Sequence, residues 1–202
     1  MPLTALDAAD DLLQRAEMLA DRAGSPSVSE WSIESDILRA SWMFVGASLD
    51  TYFHERVRRA LLTMPMSKAA QGYLVPLGPI EEMVGAFLEN RATSRPRVRL
   101  MAIVHEALLK GTFQGARNIE RAFSLLGVAK CWSRISASMS ESAQNIRDRL
   151  NRQYARRNLI AHEGDYVRQE RPQSLYYGKI KRSDVDAEII WTRTFLQAAD
   201  AL

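Results

Sequence analysis

The sequence predicts an all-α protein built as a multi-helix bundle. Apolar residues recur at spacings of three and four along most of the chain, which is the period of an amphipathic helix. No segment sustains the alternating pattern of a strand, and the one weak candidate is residues 174–180. Because 47% of the 202 residues are hydrophobic, the chain can bury a substantial core. We expect one compact unit, in which residues 1–28 form an N-terminal helix and residues 29–202 form the main helical domain.

Two long helical patterns occupy the first third of the chain. The first ends at the helix-breaking sequence of residues 24–26. The second begins near Ser29 or Ser32 and reaches Leu62. It is the longest apolar pattern in the sequence, so we expect it to be the central element of the core.

Five further helices are predicted after a loop that proline and glycine punctuate between residues 65 and 78. They cover residues 79–88, residues 98–109, residues 118–126, a longer segment that Ser138 or Ser140 caps and Gly164 ends, and a last segment that Ser183 caps. A helical turn at residues 132–135 precedes the longer segment. We expect the second helix and this longer segment to form the centre of the bundle.

The chain has a single cysteine, Cys131. One cysteine excludes an internal disulfide framework, and Cys131 lacks the Cys and His neighbours that a zinc site needs. We expect a packing role for Cys131, a reducing cytoplasm, and neither metal nor cofactor. The start of the chain lacks the basic and apolar pattern of a signal peptide, and no apolar stretch is long enough to cross a bilayer. The protein is therefore expected to be cytoplasmic, with no membrane partner.

Charge is unevenly distributed around a net value of +3. Residues 1–36 contain eight acids against two arginines, a balance of −6, whereas residues 147–182 contain ten Lys or Arg against four acids, a balance of +6. A basic stripe of this kind is the usual electrostatic signature of a site for a polyanion such as RNA. The alternative is a solvated helix face followed by a charged loop.

Residues 156–165, which we call the motif segment, combine Arg157, Asn158 and His162 at the end of the predicted long helix. Arginine binds phosphate through a planar fork of donors, and histidine can move a proton near neutral pH. Asn158 and His162 are four residues apart, so the amide can orient the imidazole. Arg157 and His162 lie about 140° apart around an ideal helix. Either the helix breaks near His162, or the arginine reaches round it, or two copies of the motif segment meet across a symmetric interface.

The third possibility suits the chemistry of RNA cleavage. One group must take the proton of the ribose 2′-hydroxyl, another must protonate the leaving 5′-oxygen, and a cation must stabilise the charged phosphorane. The motif segment of one chain supplies one histidine, which is one too few. Two facing copies would supply two histidines and two arginines.

In these residues the sequence resembles the HEPN superfamily (higher eukaryotes and prokaryotes nucleotide-binding domains), and specifically its RiboL-PSP-HEPN branch. The arginine, asparagine and histidine of the motif segment, with four residues between the arginine and the histidine, match the family's signature. Residues 47–53, residues 118–127 and residues 160–164 support the likeness, which spans roughly residues 30–200.

The resemblance implies an HEPN-type helical fold, a homodimer and a metal-independent endoribonuclease with a composite site, of the kind found among toxins and anti-phage defence effectors. By that resemblance Arg157 stabilises the phosphate of the RNA, Asn158 positions the histidine, and His162 does the acid or base work. Other HEPN proteins have lost activity. The alternative is therefore a non-catalytic interaction or nucleotide-binding module, whose partner is a cognate antitoxin or defence protein bound by the acidic first helix or the basic motif face. A third reading is a domain that is modified by a nucleotide on Tyr166 or a nearby hydroxyl.

Asp50 and His54, four residues apart on the second helix, are candidate supporting residues. Asp50 could orient His162 or Arg157 in the active site. The pair could instead bind a metal, although the sequence shows no third ligand nearby, or form a hydrogen bond on the helix surface.

Candidate RNA-binding residues combine cations with aromatic rings, a mixture that can stack unpaired bases and hold backbone phosphates. They are Arg152, Arg156, Tyr166, Arg168 and Arg171, with Tyr176 and Tyr177 nearby. The alternative for those that follow the helix is a loop that folds back on the bundle.

Overall fold

The computed structural model describes residues 3–25, 31–63, 106, 108, 110–168 and 175–202. These residues form six helices: α1 (Ala5–Ala23), α2 (Trp31–Thr63), α3 (Ala116–Leu125), α4 (Cys131–Met139), α5 (Ala143–Glu163) and α6 (Arg182–Asp200). The only extended pairing in the described ranges is one antiparallel β-bridge between Tyr166 and Tyr177. The all-α class is therefore confirmed. The helix predicted over residues 79–88 and most of that over residues 98–109 lie outside the described residues.

The 33-residue helix α2 is the central element, as its long apolar pattern predicts, and it packs against α1, α3, α5 and α6. Aromatic rings mark the middle of this packing. The ring of Phe53 lies 4.9 Å from that of Tyr52, 5.2 Å from that of Phe123 on α3 and 6.5 Å from that of Phe195 on α6. All four side chains are fully buried, so three helices meet at Phe53.

Helix α5 shares the core only along its first half. Its buried residues are Ile146, Leu150 and Gln153, whereas the residues from 154 to 163 are half-buried or exposed. The central position predicted for this helix therefore applies to its start. Its end, which carries the motif segment, lies at the surface of the bundle.

Helix α1 belongs to the same core as the rest of the chain. Thr4 caps it in a box with Asp7, and its buried face consists mainly of alanines, which allow close packing on α2. On its outer face, Arg193 of α6 contacts Asp10 at 3.1 Å and Glu17 at 2.9 Å. The acidic face considered for partner binding is thus partly neutralised within the chain.

The caps predicted for two helices are wrong by two to four residues. Helix α5 is capped by Ser142, whose hydroxyl accepts from the backbone N–H of Asn145 at 3.1 Å, because Ser138 and Ser140 belong to the end of α4. Helix α6 is capped by Lys181 rather than by Ser183, and Asp184 accepts from the N–H of Lys181 at 3.1 Å. None of the helices in the described ranges is both long and apolar enough to span a membrane.

Candidate active site at the end of α5

The motif segment lies on a continuous helix up to Glu163. Gly164 then adopts the left-handed conformation, with φ at 61°, and its N–H donates to the carbonyl of Ile160 at 3.1 Å. The N–H of Asp165 donates to the carbonyl of Leu159, also at 3.1 Å. The helix therefore ends after His162, and a break that would turn His162 towards Arg157 does not occur.

Arg157 lies against the middle of α2. A Cβ placed on Gly46 would be 3.1 Å from Cγ of Arg157, so the arginine stem packs where α2 has no side chain. The guanidinium donates from Nη1 to Oδ1 of Asn158 at 3.1 Å. No hydrogen bond joins Asn158 to His162 among the described residues, and the amide oxygen of Asn158 accepts from the neighbouring arginine instead.

His162 is exposed in the last turn of α5. Its imidazole makes no hydrogen bond, ion pair or ring contact with any residue that the structure describes, Arg157 included. The arginine therefore does not reach round the helix to it. One chain presents an arginine whose stem packs against α2 and a separate imidazole. The imidazole is half of the acid–base pair that phosphodiester cleavage requires.

Asp165, the last residue of the motif segment, is a buried carboxylate between two arginines. Its Oδ2 accepts from Nε of Arg39 on α2 at 3.2 Å and from Nη2 of Arg156 at 2.7 Å. The Arg156 guanidinium also lies 5.6 Å from the ring of Trp42 and donates to the carbonyl of Lys179 at 3.0 Å. Arg156 thus anchors the chain after α5, and the RNA-binding role predicted for it stays a prediction.

Gly178 completes this cluster, which we call the Asp165 clamp (Arg39, Arg156, Asp165 and Gly178). A Cβ on Gly178 would lie 2.7 Å from Oδ1 and 2.8 Å from Oδ2 of Asp165, so no other residue fits without displacing the carboxylate. The Gly178 N–H donates to the Asp165 carbonyl at 2.7 Å, and its own carbonyl accepts from Arg39 at 3.0 Å. The described ends of the loop after α5 therefore fold back on the bundle. The one sequence signal for this cluster is the acidic residue that directly follows the helix-ending Gly164.

Two of the other candidate RNA-binding residues, Tyr166 and Arg168, follow Asp165 of the clamp in the chain. Arg152 is exposed on α5, and Arg168 is exposed while pairing with Glu163 at 2.8 Å. Tyr166 is half-buried, with its ring edge-on to that of Tyr177 at 6.3 Å. Arg171 lies outside the described residues. Cations and aromatic rings thus share the surface next to the end of α5.

Asp50 and His54 form a real pair, but it holds a neighbouring segment of the chain. Asp50 Oδ1 accepts from the hydroxyl of Thr112 at 3.0 Å and from the N–H of Phe113 at 2.6 Å, and it lies 3.3 Å from Nδ1 of His54. These contacts occupy Asp50 with residues 112–113, so the predicted orientation of His162 or Arg157 by Asp50 is not what the structure shows. The pair borders a cavity of about 310 Å³.

The two ring nitrogens of His54 both face carbonyl oxygens. Nδ1 lies 2.8 Å from the carbonyl of Asp50, and Nε2 lies 2.9 Å from that of Leu108. Only the doubly protonated ring can donate to both. Burial opposes this charge, but the hydrogen bonds to Asp50 and Leu108 outweigh it and raise the pKa of His54 to about 9. His54 is therefore a cationic tether between α2 and residue 108. No group of three or more His, Cys, Asp or Glu side chains with the spacing of a metal site occurs among the described residues.

Comparisons with known proteins leave the family open. No protein-family model matches this chain, and neither the curated proteins nor the solved structures compared with it contain a match. The resemblance to the HEPN superfamily therefore stays a prediction from the sequence.

Proposed function

We propose that this protein is a metal-independent endoribonuclease of the HEPN type that acts as a homodimer. In each composite site, Arg157 of both subunits binds and stabilises the phosphate, and the two His162 side chains act as general base and general acid. By the same resemblance we propose a role as a toxin or an anti-phage defence effector in the cytoplasm.

The observation that carries the proposal is the contrast between Arg157 and His162. The arginine is half-buried, with its stem held against Gly46, whereas the imidazole is exposed and uncommitted within the described part of the chain. A phosphate ligand benefits from a held position, and a proton carrier must be accessible to substrate. Since one chain offers one such histidine, a second copy is needed to complete the reaction.

An exposed apolar patch supports an interface beside this site. It consists of Val167, Leu175, Tyr176 and Tyr177, which are 43%, 70%, 52% and 45% exposed. Contiguous apolar surface next to a polar site is typical of an interaction surface. In the proposed dimer this patch packs against the partner copy.

The direct test is cleavage of a mixed set of single-stranded RNAs in EDTA. The wild type should cut, and His162→Ala should lower the rate about 10²- to 10⁴-fold, the usual contribution of a general acid or base. Because His162 is exposed, its variant should unfold at the wild-type urea midpoint. Arg157→Ala should be similarly inactive, whereas Arg147→Ala, an equivalent substitution earlier on α5, should leave cleavage unchanged. A wild type that leaves every RNA intact contradicts the proposal.

The composite site is tested separately by sedimentation. We expect a dimer at the concentrations that support cleavage, and a monomer that cleaves at full rate would contradict the composite site.

The apolar patch also favours one alternative function, a non-catalytic module that binds a different protein, such as a cognate antitoxin. That function predicts a partner co-purified from the native host, retained when Arg157 and His162 are both replaced by Ala and lost when Tyr176 and Tyr177 are replaced by Ser.

A further inference from the structure

Arg157 and Gln114 approach the same point on α2. A Cβ on Gly46 would lie 3.1 Å from Cγ of Arg157, 3.7 Å from its Cβ and 3.5 Å from Oε1 of Gln114. Gln114 precedes α3 and is almost completely buried, with 3% of its surface exposed. The glycine therefore lets an arginine stem and a carboxamide from two other parts of the chain meet at one helix surface.

Each of these two side chains has one buried polar atom without a partner among the described residues. These atoms are Nε of Arg157 and Oε1 of Gln114, and neither makes a hydrogen bond within the part of the chain that the structure describes. The first is a donor and the second is an acceptor, so each could satisfy the other. Leaving both unpaired costs stability, and such atoms in a buried setting call for a reason.

The narrow void that Gly46 and Gln114 line has no room for a water molecule, and Arg157 does not border it. A small rotation of one side chain would pair the two atoms directly. Arg157 can make this rotation, since its guanidinium is otherwise held only by Asn158 at 3.1 Å among the described residues.

Gln114 is well placed to stay fixed while the arginine moves. Its carbonyl accepts from the side-chain amide of Asn118 at 3.1 Å. Two residues later, the N–H of Ala116 donates to Oδ1 of Asn151 on α5 at 2.9 Å. The segment that carries Gln114 is thus tethered to the helix that carries Arg157.

We propose that Gln114 is a positioning residue for Arg157. When a phosphate binds, Nε–H of Arg157 donates to Oε1 of Gln114, and the two terminal nitrogens of the guanidinium turn together towards the phosphate oxygens. Anchoring Nε fixes the plane of the guanidinium, which is what a bidentate contact to phosphate requires. This proposal rests on the proposed function, because it assigns Arg157 to the phosphate.

The test follows the Nε–H signal of Arg157 by ¹⁵N-NMR, identified by its loss in Arg157→Lys. A fully 2′-O-methylated RNA oligonucleotide is the probe, because it offers phosphates but no 2′-hydroxyl to react. Binding should shift the signal and slow its hydrogen exchange at least tenfold. In Gln114→Met, which keeps the length of the side chain and removes the acceptor, that protection should disappear. In Gln114→Glu, which keeps an acceptor, it should persist.

Kinetics and stability supply the second readout. Gln114→Met should lower kcat about 10- to 100-fold, the size of effect expected for a misplaced catalytic group, with a smaller change in KM and with Gln114→Glu closer to the wild type. Gly46→Ala favours the helical state of α2 but places a methyl group between the two side chains. It should lower kcat without lowering the urea midpoint, which separates positioning from folding.

The outcomes separate this proposal from the proposed function. If the oligonucleotide protects Nε–H in a Gln114-dependent way but RNA is not cut, the positioning role stands and the ribonuclease proposal fails. If RNA is cut and Gln114→Met leaves both the signal and kcat unchanged, the positioning role is overturned. It is also overturned if the oligonucleotide does not change the Nε–H signal of the wild type. Gln153→Leu, which removes the other buried carboxamide that borders the void, is the last comparison. The role of Gln114 is overturned if Gln153→Leu abolishes the protection and Gln114→Met does not.

Discussion

Replacing Gly178 with Ala should destabilise the protein through a single carboxylate. The added Cβ would lie 2.7–2.9 Å from the three carboxylate atoms of Asp165, well inside van der Waals contact. Arg39 and Arg156 hold Oδ2 of Asp165 at 3.2 and 2.7 Å, so the carboxylate cannot move without weakening these two ion pairs. If the carboxylate stays in place, residue 178 must move instead and weaken its backbone hydrogen bond to Asp165.

The expected size follows from two destabilising effects and one that partly offsets them. Displacing one partner of a buried ion pair costs about 3–5 kcal/mol, and overpacking that can relax costs about 1–3 kcal/mol. Alanine also restricts the unfolded chain, which offsets about 0.4–1 kcal/mol. We therefore expect Gly178→Ala to lower the free energy of unfolding by about 2–4 kcal/mol.

Urea unfolding followed by circular dichroism measures this loss. The matched control is Gly127→Ala, because Gly127 has a φ of 75° but no atom within 4 Å of an added Cβ. That substitution should cost about 1–2 kcal/mol from backbone strain alone. Hydrogen exchange at the amide of Val167, which bonds the carbonyl of Tyr176 at 2.8 Å, should accelerate only in Gly178→Ala. A Gly178→Ala protein no less stable than the control would refute the clamp.

Three further predictions concern the rest of the bundle. The pKa of His54 in the folded protein, about 9, lies above its ordinary value of 6.5, so its stabilising contribution of about 3 kcal/mol should be complete below about pH 6.5 and lost as the pH rises through 9. Urea midpoints measured from pH 6 to 10 should therefore fall for the wild type and change less for His54→Gln. Equal slopes for the two proteins would count against the tether. Phe53→Ala should lower the free energy of unfolding by about 3–5 kcal/mol in the same assay, and a loss under about 1 kcal/mol would mean that the three helices do not meet there. Asn151→Ala should cost about 0.5–2 kcal/mol and expose the amide of Ala116 to exchange, whereas unchanged protection would show that Asn151 does not cap α3.

The helices were predictable from the sequence where the apolar period is long. The patterns over α1, α2 and α6 each extend over several turns, so packing and propensity agree. The start of α5 was less predictable because Ser138, Ser140 and Ser142 are all competent caps. The choice among them depends on where α4 ends, and only its packing against α5 and α6 decides that.

The candidate site was predictable in its residue types but not in its contacts. A short motif indicates an arginine and a histidine at a helix end, and the structure shows both there. It cannot indicate that Arg39 meets Asp165 across 126 positions, or that Gly46 receives the stem of Arg157. Such pairs depend on how helices cross, which local spacing does not encode.

The two consecutive arginines of α5 have opposite surroundings, and this makes the length of the helix a constraint. Arg156 faces Trp42 and Asp165, whereas Arg157 faces Gly46. One residue inserted earlier in α5 would rotate both by about 100°, so the anchoring arginine and the proposed phosphate ligand would each face the wrong neighbour. Insertions of about four or seven residues restore the angle most closely, since they approximate whole turns. At its exposed positions, the stretch between Ser142 and Arg156 should therefore accept changes of residue more readily than changes of length.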